Sequence, residues 1–182
     1  MALAYPDPPL ADDTVSLRPW ELSDVSLVEQ AGADPYVAQI ERVPVPFVEA
    51  SARDWIEERQ SQVALGRGWS FVTVEAQTNE ARGGVSLTFR HPPGAAEVGY
   101  WVVEGARNRG LAARATRLIS HWGLPRAGFA RIQATVEPWN LPSQRVFEKV
   151  GFLREGLLRS YASYGGARQD VFLYSLLPTD LG

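Results

Sequence analysis

Polar and apolar residues alternate through residues 14–18, with Val15 and Leu17 facing one way, and this period of two predicts a strand. Residues 22–31 predict a helix and residues 35–40 a short second one, before Pro44 and Pro46 break the chain. Ser51-Ala52-Arg53-Asp54 reads as a capping box, and Trp55, Ile56 and Val63 supply the apolar face of a helix reaching about Leu65. Runs at 69–74 and 84–89 predict two strands around a turn that contains Asn79. Residues 97–103 form a further strand, apolar enough to be central. Leu111, Ala115, Leu118, Ile119 and Trp122 then fall on one side of a helix, with Arg114 and Arg117 away from it. Gly123 and Pro125 predict its end.

The second half repeats the alternation of periods. Residues 131–136 predict a strand. Asn140 caps a helix with Pro142 in its first turn and Val146, Phe147 and Val150 on its buried side, and Gly151 ends it. Residues 153–161 and 171–177 predict two strands joined around Gly165-Gly166. The pattern predicts a mixed α/β fold: a single domain over residues 14–182 behind a flexible segment, 1–13.

Composition narrows the function. The chain has 182 residues, 45% hydrophobic and 21% charged, which suits one globular domain with its own core. No apolar run approaches the roughly 18 residues that span a bilayer, so no membrane partner is expected. The first residues lack a basic n-region, so no secretory signal is expected and the chain reads as cytoplasmic. With no cysteine there is no disulfide, thiol nucleophile or thiolate metal ligand. His91 and His121 lie far apart, which argues against a metal site. His91 reads as a surface loop residue, and His121 as a late helix residue where the dipole favours a cation.

A net charge of −3 argues against nucleic acid as a partner. Basicity is local: Arg107, Arg109, Arg114 and Arg117 cluster, a pattern suited to a small anion.

That cluster opens with Arg107-Asn108-Arg109-Gly110-Leu111-Ala112, a small-residue turn between the 97–103 strand and a helix-like run over 113–122. The first N–H groups of a helix have no internal partner and favour negative charge, so the turn reads as a phosphate or pyrophosphate cradle. It also reads as a solvated basic turn before an ordinary helix. It is neither a Walker loop nor a dinucleotide fingerprint, because the required Gly-Lys-Ser/Thr and the later glycines are missing.

Several pieces in order carry a family resemblance. They are Glu97-Val98-Gly99-Tyr100-Trp101, Arg107-x-x-Gly110-x-Ala112, Glu137-Pro138-Trp139-Asn140-x-x-Ser143, Glu148-Lys149-Val150-Gly151-Phe152 and the closing run from Asp170 to Leu176. Leu17-Arg18-Pro19 and Ser51-x-x-Asp54-Trp55-Ile56 extend the match upstream. The chain resembles the GNAT superfamily of acyl-CoA-dependent N-acyltransferases, and within it the RimJ/RimL-like, ribosomal-protein N-terminal branch. The resemblance implies a central mixed, mostly antiparallel sheet of about seven strands with flanking helices. Its two central parallel strands would splay apart around acetyl-CoA, the acyl donor, with no metal.

Carried over residue by residue, the pyrophosphate would sit on the backbone of Arg107, Asn108, Arg109, Gly110, Leu111, Ala112 and Ala113. The pantetheine arm would run beside Trp101, Val102 and Val103, and Asn140 and Ser143 would face the thioester. The implied reaction is direct attack by a primary amine on the thioester, with a backbone N–H near Trp101 or Val102 polarising the carbonyl. Glu97, on the strand face of Trp101, is the candidate base, acting through water; it also reads as a solvated strand-end carboxylate. Many members carry a tyrosine seven residues after the position of Asn140 as acid; here that residue is Phe147, and Ser143 is the substitute. Ser143 also reads as a helix residue saturating backbone groups.

Tyr161, Tyr164 and Asp170 are candidates for the amine pocket or ordinary strand residues. Trp20, Trp55, Trp69 and Trp122 read as core or wall, and Trp139 as a residue of the cleft mouth. The acceptor implied is a protein N-terminus or a small-molecule amine, and the protein a monomer or homodimer. The competing function, supported by Phe147, is an acyl-CoA-binding sensor that has lost turnover.

Overall fold

A computed structural model describes residues 3–90, 93–164 and 166–181, without the side chain of Tyr164. One seven-stranded mixed sheet organises it. Strand β1 (Val15–Pro19) is followed by helices α1 (Val25–Gly32), α2 (Pro35–Glu41) and α3 (Glu49–Ala64). Strands β2 (Gly68–Glu75), β3 (Glu80–Arg90) and β4 (Ala95–Val102) lead into helix α4 (Leu111–Arg126). Strand β5 (Arg131–Val136), helix α5 (Leu141–Val150), and strands β6 (Leu153–Tyr164) and β7 (Ala167–Leu176) complete it. The spatial order is β1-β2-β3-β4-β5-β7-β6, so β4 is central, as its apolar run predicts. Every neighbouring pair is antiparallel except β4 and β5.

Two cores lie on opposite faces of the sheet. On one, α4 and α5 bury Ile119, Phe147 and Val150 against Leu87, Val98, Ile132 and Tyr174. On the other, α1 to α3 bury Leu27, Val37, Trp55 and Ile56 with Trp20, Val72 and Trp101. Alternation along β5 shows how one strand serves both faces: Ile132, Ala134 and Val136 are buried, while Arg131, Gln133 and Thr135 are half-buried.

Three expectations are corrected. Helix α4 does not stop at Gly123 and Pro125 but runs to Arg126. Gly123 is there because the helix presses on the sheet: a Cβ would meet Leu87 Cδ2 at 2.7 Å and Ile132 Cδ1 at 3.1 Å. Pro125 lies in the last turn, where its missing N–H removes one i→i−4 hydrogen bond, and the helix ends one residue later. The capping box at Ser51 is not formed. Helix α3 begins at Glu49 with Val48 as its N-cap, and Glu49 instead ties down Arg53 at 2.8 Å, one turn on.

Nor is the start of the chain loose over residues 3–13. Trp69 Nε1 donates to the Ala4 carbonyl (2.8 Å), Tyr5 packs edge-on against Phe71 with ring centroids 5.2 Å apart, and Leu3 and Leu10 pack on the core. Apolar side chains in this segment hold a backbone that its Pro-rich composition made look unanchored.

Candidate functional site

The parallel ladder between β4 and β5 is short. Ala95, Ala96 and Glu97 pair with Arg131, Ile132 and Gln133, and there it ends. Beyond that point β4 stays with β3 as far as Val102, and β5 stays with β7 as far as Val136. The strands therefore diverge into a V. Residues 98–102 and 134–136 turn one backbone edge each into it, and such edges offer N–H and C=O groups to a ligand.

At the open end of the β4 arm the chain makes a short helical turn, Glu104–Ala106, and then the arginine turn. Asn108 (φ 63°) and Gly110 (φ 81°) are both left-handed, a conformation that suits glycine. Gly110 is the N-cap of α4 and makes no side-chain cap bond, so the first-turn N–H groups of a 16-residue helix are left uncapped by a side chain. A Cβ on Gly110 would point into open space.

The arginines are already engaged. Arg107 pairs with Asp34, the N-cap of α2, and its Nε donates to the Val102 carbonyl at 3.0 Å. Arg109 reaches Glu75 at 3.4 Å, and Arg114 reaches Asp12 at 3.3 Å. Burial pushes the Asp34 carboxyl up, but Arg107 and two backbone N–H groups together pull it below its ordinary value. Arg82 above all, with Thr78 and Arg109 and against burial, holds Glu75 low as well. Formal charge at the turn is thus largely compensated, and the backbone carries most of its attraction for an anion. Arg117 donates to the Lys149 carbonyl (2.9 Å), tying α4 to the end of α5.

Across the V, Asn140 and Ser143 occupy the start of α5. Asn140 Oδ1 accepts the Ser143 N–H at 3.2 Å, a side-chain cap, while Asn140 Nδ2 donates to Tyr36 Oη at 3.1 Å. Tyr36 Oη in turn donates to Glu137 Oε2 at 2.8 Å, and its ring packs edge-on against Trp139. Glu137 is 3% exposed at the end of β5, whereas Trp139 is 61% exposed. Ser143 Oγ accepts from Tyr100 Oη at 3.0 Å. Its hydroxyl is therefore engaged by the opposite arm of the V rather than by its own helix backbone.

Glu97 sits at the base of the V. Its carboxylate binds Arg90 Nε at 2.8 Å and lies 3.5 Å from Thr135 Oγ1. Trp101 is buried and stacks with Trp20 on the α1–α3 side, leaving its backbone at the V. Of the tyrosines and acid proposed for an amine pocket, Tyr161 is exposed on β6 and the Tyr164 side chain lies outside the described residues. Asp170 Oδ1 accepts the N–H of Ser160 (2.7 Å), steadying an irregular stretch of β6. A cavity of about 10 Å³ lies between Trp20, Glu41, Trp55, Ser86, Gly99 and Trp101, with room for about one water. Trp20, Trp55 and Trp69 are buried wall or core residues, and Trp122 is half-buried. His91 lies outside the described residues. His121 departs from expectation: burial, with Arg117 beside it, lowers its pKa and favours the neutral ring over the cation.

Residues 14–153 match the family model described as an acetyltransferase (GNAT) domain. The chain belongs to the GNAT acetyltransferase family. It is 31% identical over 170 residues to "Uncharacterized N-acetyltransferase p20" of Bacillus licheniformis, covering 92% of this chain and 95% of that one. It is 28% identical over 178 residues to "Probable N-acetyltransferase YjcK" of Bacillus subtilis, covering 94% and 98%. Among solved structures, RimJ of Mycobacterium smegmatis, in complex with CoA-disulfide, superposes with a TM-score of 0.79 at 25% identity, covering 92% of this chain and 83% of that one. The GNAT fold expected from the sequence is thus the observed one, splayed strands included. The protein is an N-acetyltransferase that takes its acyl group from an acyl-CoA.

Sequence reasoning missed Asp34, Glu75, Tyr100 and Glu137 as parts of this site. Tyr100 and Glu137 lay inside the resemblance without a role. The bond between Tyr36 and Glu137 had no local signal, since the two residues are 101 positions apart.

Proposed function

We propose that this GNAT enzyme transfers an acetyl group from acetyl-CoA to the primary amine at a protein N-terminus, by direct attack in a ternary complex in the cytoplasm. The observation that carries the donor site is the V between β4 and β5 with the uncapped N-terminus of α4 at its open end. One end offers N–H groups to a diphosphate and the strand edge offers partners to an amide-bearing arm. In this reading the backbone from Arg107 to Ala113 holds the pyrophosphate. Trp101, Val102 and Val103 lie along the pantetheine arm, and Asn140 and Ser143 meet the thioester end.

A backbone N–H near Trp101 or Val102 polarises the carbonyl. Glu97, paired with Arg90, draws the amine proton through water, and Ser143 protonates the departing sulfur. A protein N-terminus is the acceptor that the RimJ/RimL-like resemblance implies, and one relative's name, "Putative ribosomal N-acetyltransferase YdaF" of Bacillus subtilis, 30% identical over 82 residues, points to a ribosomal acceptor.

The test is calorimetric titration with CoA, followed by release of free CoA from acetyl-CoA with N-terminal peptides and, separately, polyamines and amino acids. Peptide-dependent release supports the proposal. Release with small amines alone moves the acceptor to that class, and tight CoA binding without release to any amine indicates a sensor.

A further inference from the structure

The residue at position 147 is phenylalanine, and it is 3% exposed, with the rings of Tyr100, Phe152 and Tyr174 around it at 5.7, 5.2 and 6.0 Å. No hydroxyl comes from that position. One arrives instead from the other arm of the V: Tyr100, on β4, packs against Phe147 and carries its hydroxyl to Ser143 Oγ at 3.0 Å. We infer that Tyr100 is the positioning residue for the Ser143 hydroxyl, occupying one lone pair of Oγ so that the serine's own hydrogen is directed to the thioester sulfur. This rests on the acetyl-transfer reading above.

A serine hydroxyl has one hydrogen to give and two lone pairs to receive. With Tyr100 donating, the Ser143 hydrogen must find another acceptor. The helix backbone does not require the hydroxyl, because the Ser143 N–H is capped by Asn140 Oδ1. Burial, against the opposing hydrogen bond to Ser143, pushes the Tyr100 phenol up to about 12, so it remains a donor at any working pH. Donation into Oγ also polarises the serine O–H, making it a stronger donor in turn.

The protons balance without a second acid. As the C–N bond forms and the C–S bond breaks, Ser143 gives its hydrogen to the sulfur, which keeps the C–S electron pair. Water returns a proton to Ser143, and the proton lost by the amine nitrogen, drawn through water at Glu97, restores that water, so one proton moves in net from nitrogen to sulfur. Tyr100 keeps its own proton throughout.

Tyr100→Phe is the test, since it keeps the ring against Phe147 and removes only the hydroxyl. Three measurements apply to the full chain: CoA affinity, steady-state turnover, and titration of the thiol of bound CoA by ultraviolet absorbance of the thiolate. The expected result is unchanged affinity, kcat down about tenfold with KM for acetyl-CoA unchanged, and a bound thiol whose pKa rises by about one unit. Ser143→Ala should raise that pKa too, and the double variant should match Ser143→Ala alone, because Tyr100 acts only through the serine. A Tyr100→Phe protein with wild-type kcat and wild-type thiol titration overturns the inference. If the wild type turns over no amine, the acetyl-transfer reading fails by itself, while the thiol titration still decides whether Tyr100 acts on the serine.

Discussion

The two arms of the V are built in different ways. The β4 arm ends in a turn whose useful groups are backbone N–H, shaped by Asn108 and Gly110 in left-handed conformations and by the start of α4. The β5 arm ends in side chains: Glu137, Asn140 and Ser143, completed by Tyr36 from α2 and Tyr100 from β4. One end is local in sequence, built from backbone groups and suited to holding a diphosphate. The other is assembled from four segments and suited to directing protons. Helix α2 joins the two, with Asp34 on the arginine turn and Tyr36 on the Glu137–Asn140 pair.

If this division holds, variants should separate rate from affinity. Ser143→Ala should lower kcat about 100-fold, within the range of a lost general acid, with CoA affinity unchanged by calorimetry. Weaker CoA binding with kcat intact would place Ser143 with the donor-holding parts instead. Gly110→Val should do the opposite, weakening CoA about tenfold while leaving kcat at saturation close to wild type. The added side chain points into the space offered to the ligand, and the φ of 81° costs the fold about 1–2 kcal/mol locally. A urea titration distinguishes that strain from global unfolding.

Smaller effects test the charges. Asp34→Asn keeps a capping side chain on α2 but removes the charge that compensates Arg107. CoA should bind about two- to threefold more tightly at low salt, an advantage that fades at high salt. Weaker binding would mean instead that the ion pair holds the turn in shape.

The smallest effect is expected away from the V. Arg131, with Ser175, holds Glu155 down to about 2. A depressed carboxyl contributes stability above its unfolded pKa, which is lost as pH falls through the folded one. Wild type should therefore exceed Glu155→Gln in stability at pH 6 by under about 1 kcal/mol, the pair being partly exposed, and the margin should vanish between roughly pH 4 and pH 2. Denaturant melts across that range measure it.

Much of the sheet was legible because strand and helix periods differ and the chain shows both. Residues 131–136 form β5 as expected, and Asn140, Pro142 and Gly151 bound α5 as their preferences predict. Errors arose where packing outweighed local preference. Gly123 looks like a helix end until Leu87, which would sit 2.7 Å from any Cβ added there, explains it, and Ser51 looks like a cap until Glu49 starts the helix two residues earlier. In the site, the arginine turn was visible as a motif, whereas the carboxylates facing it, Asp34 and Glu75, were not.

By itself the sequence determined the family, the order of strands and helices, and the turn before α4, because each depends on neighbours within a few residues. Only the tertiary structure decided where β4 and β5 part, that carboxylates compensate the arginines, and that Tyr100 meets Ser143. Those outcomes depend on how two helical layers pack on a twisted sheet. A hydrogen bond between residues 43 positions apart leaves no periodicity in the chain to announce it.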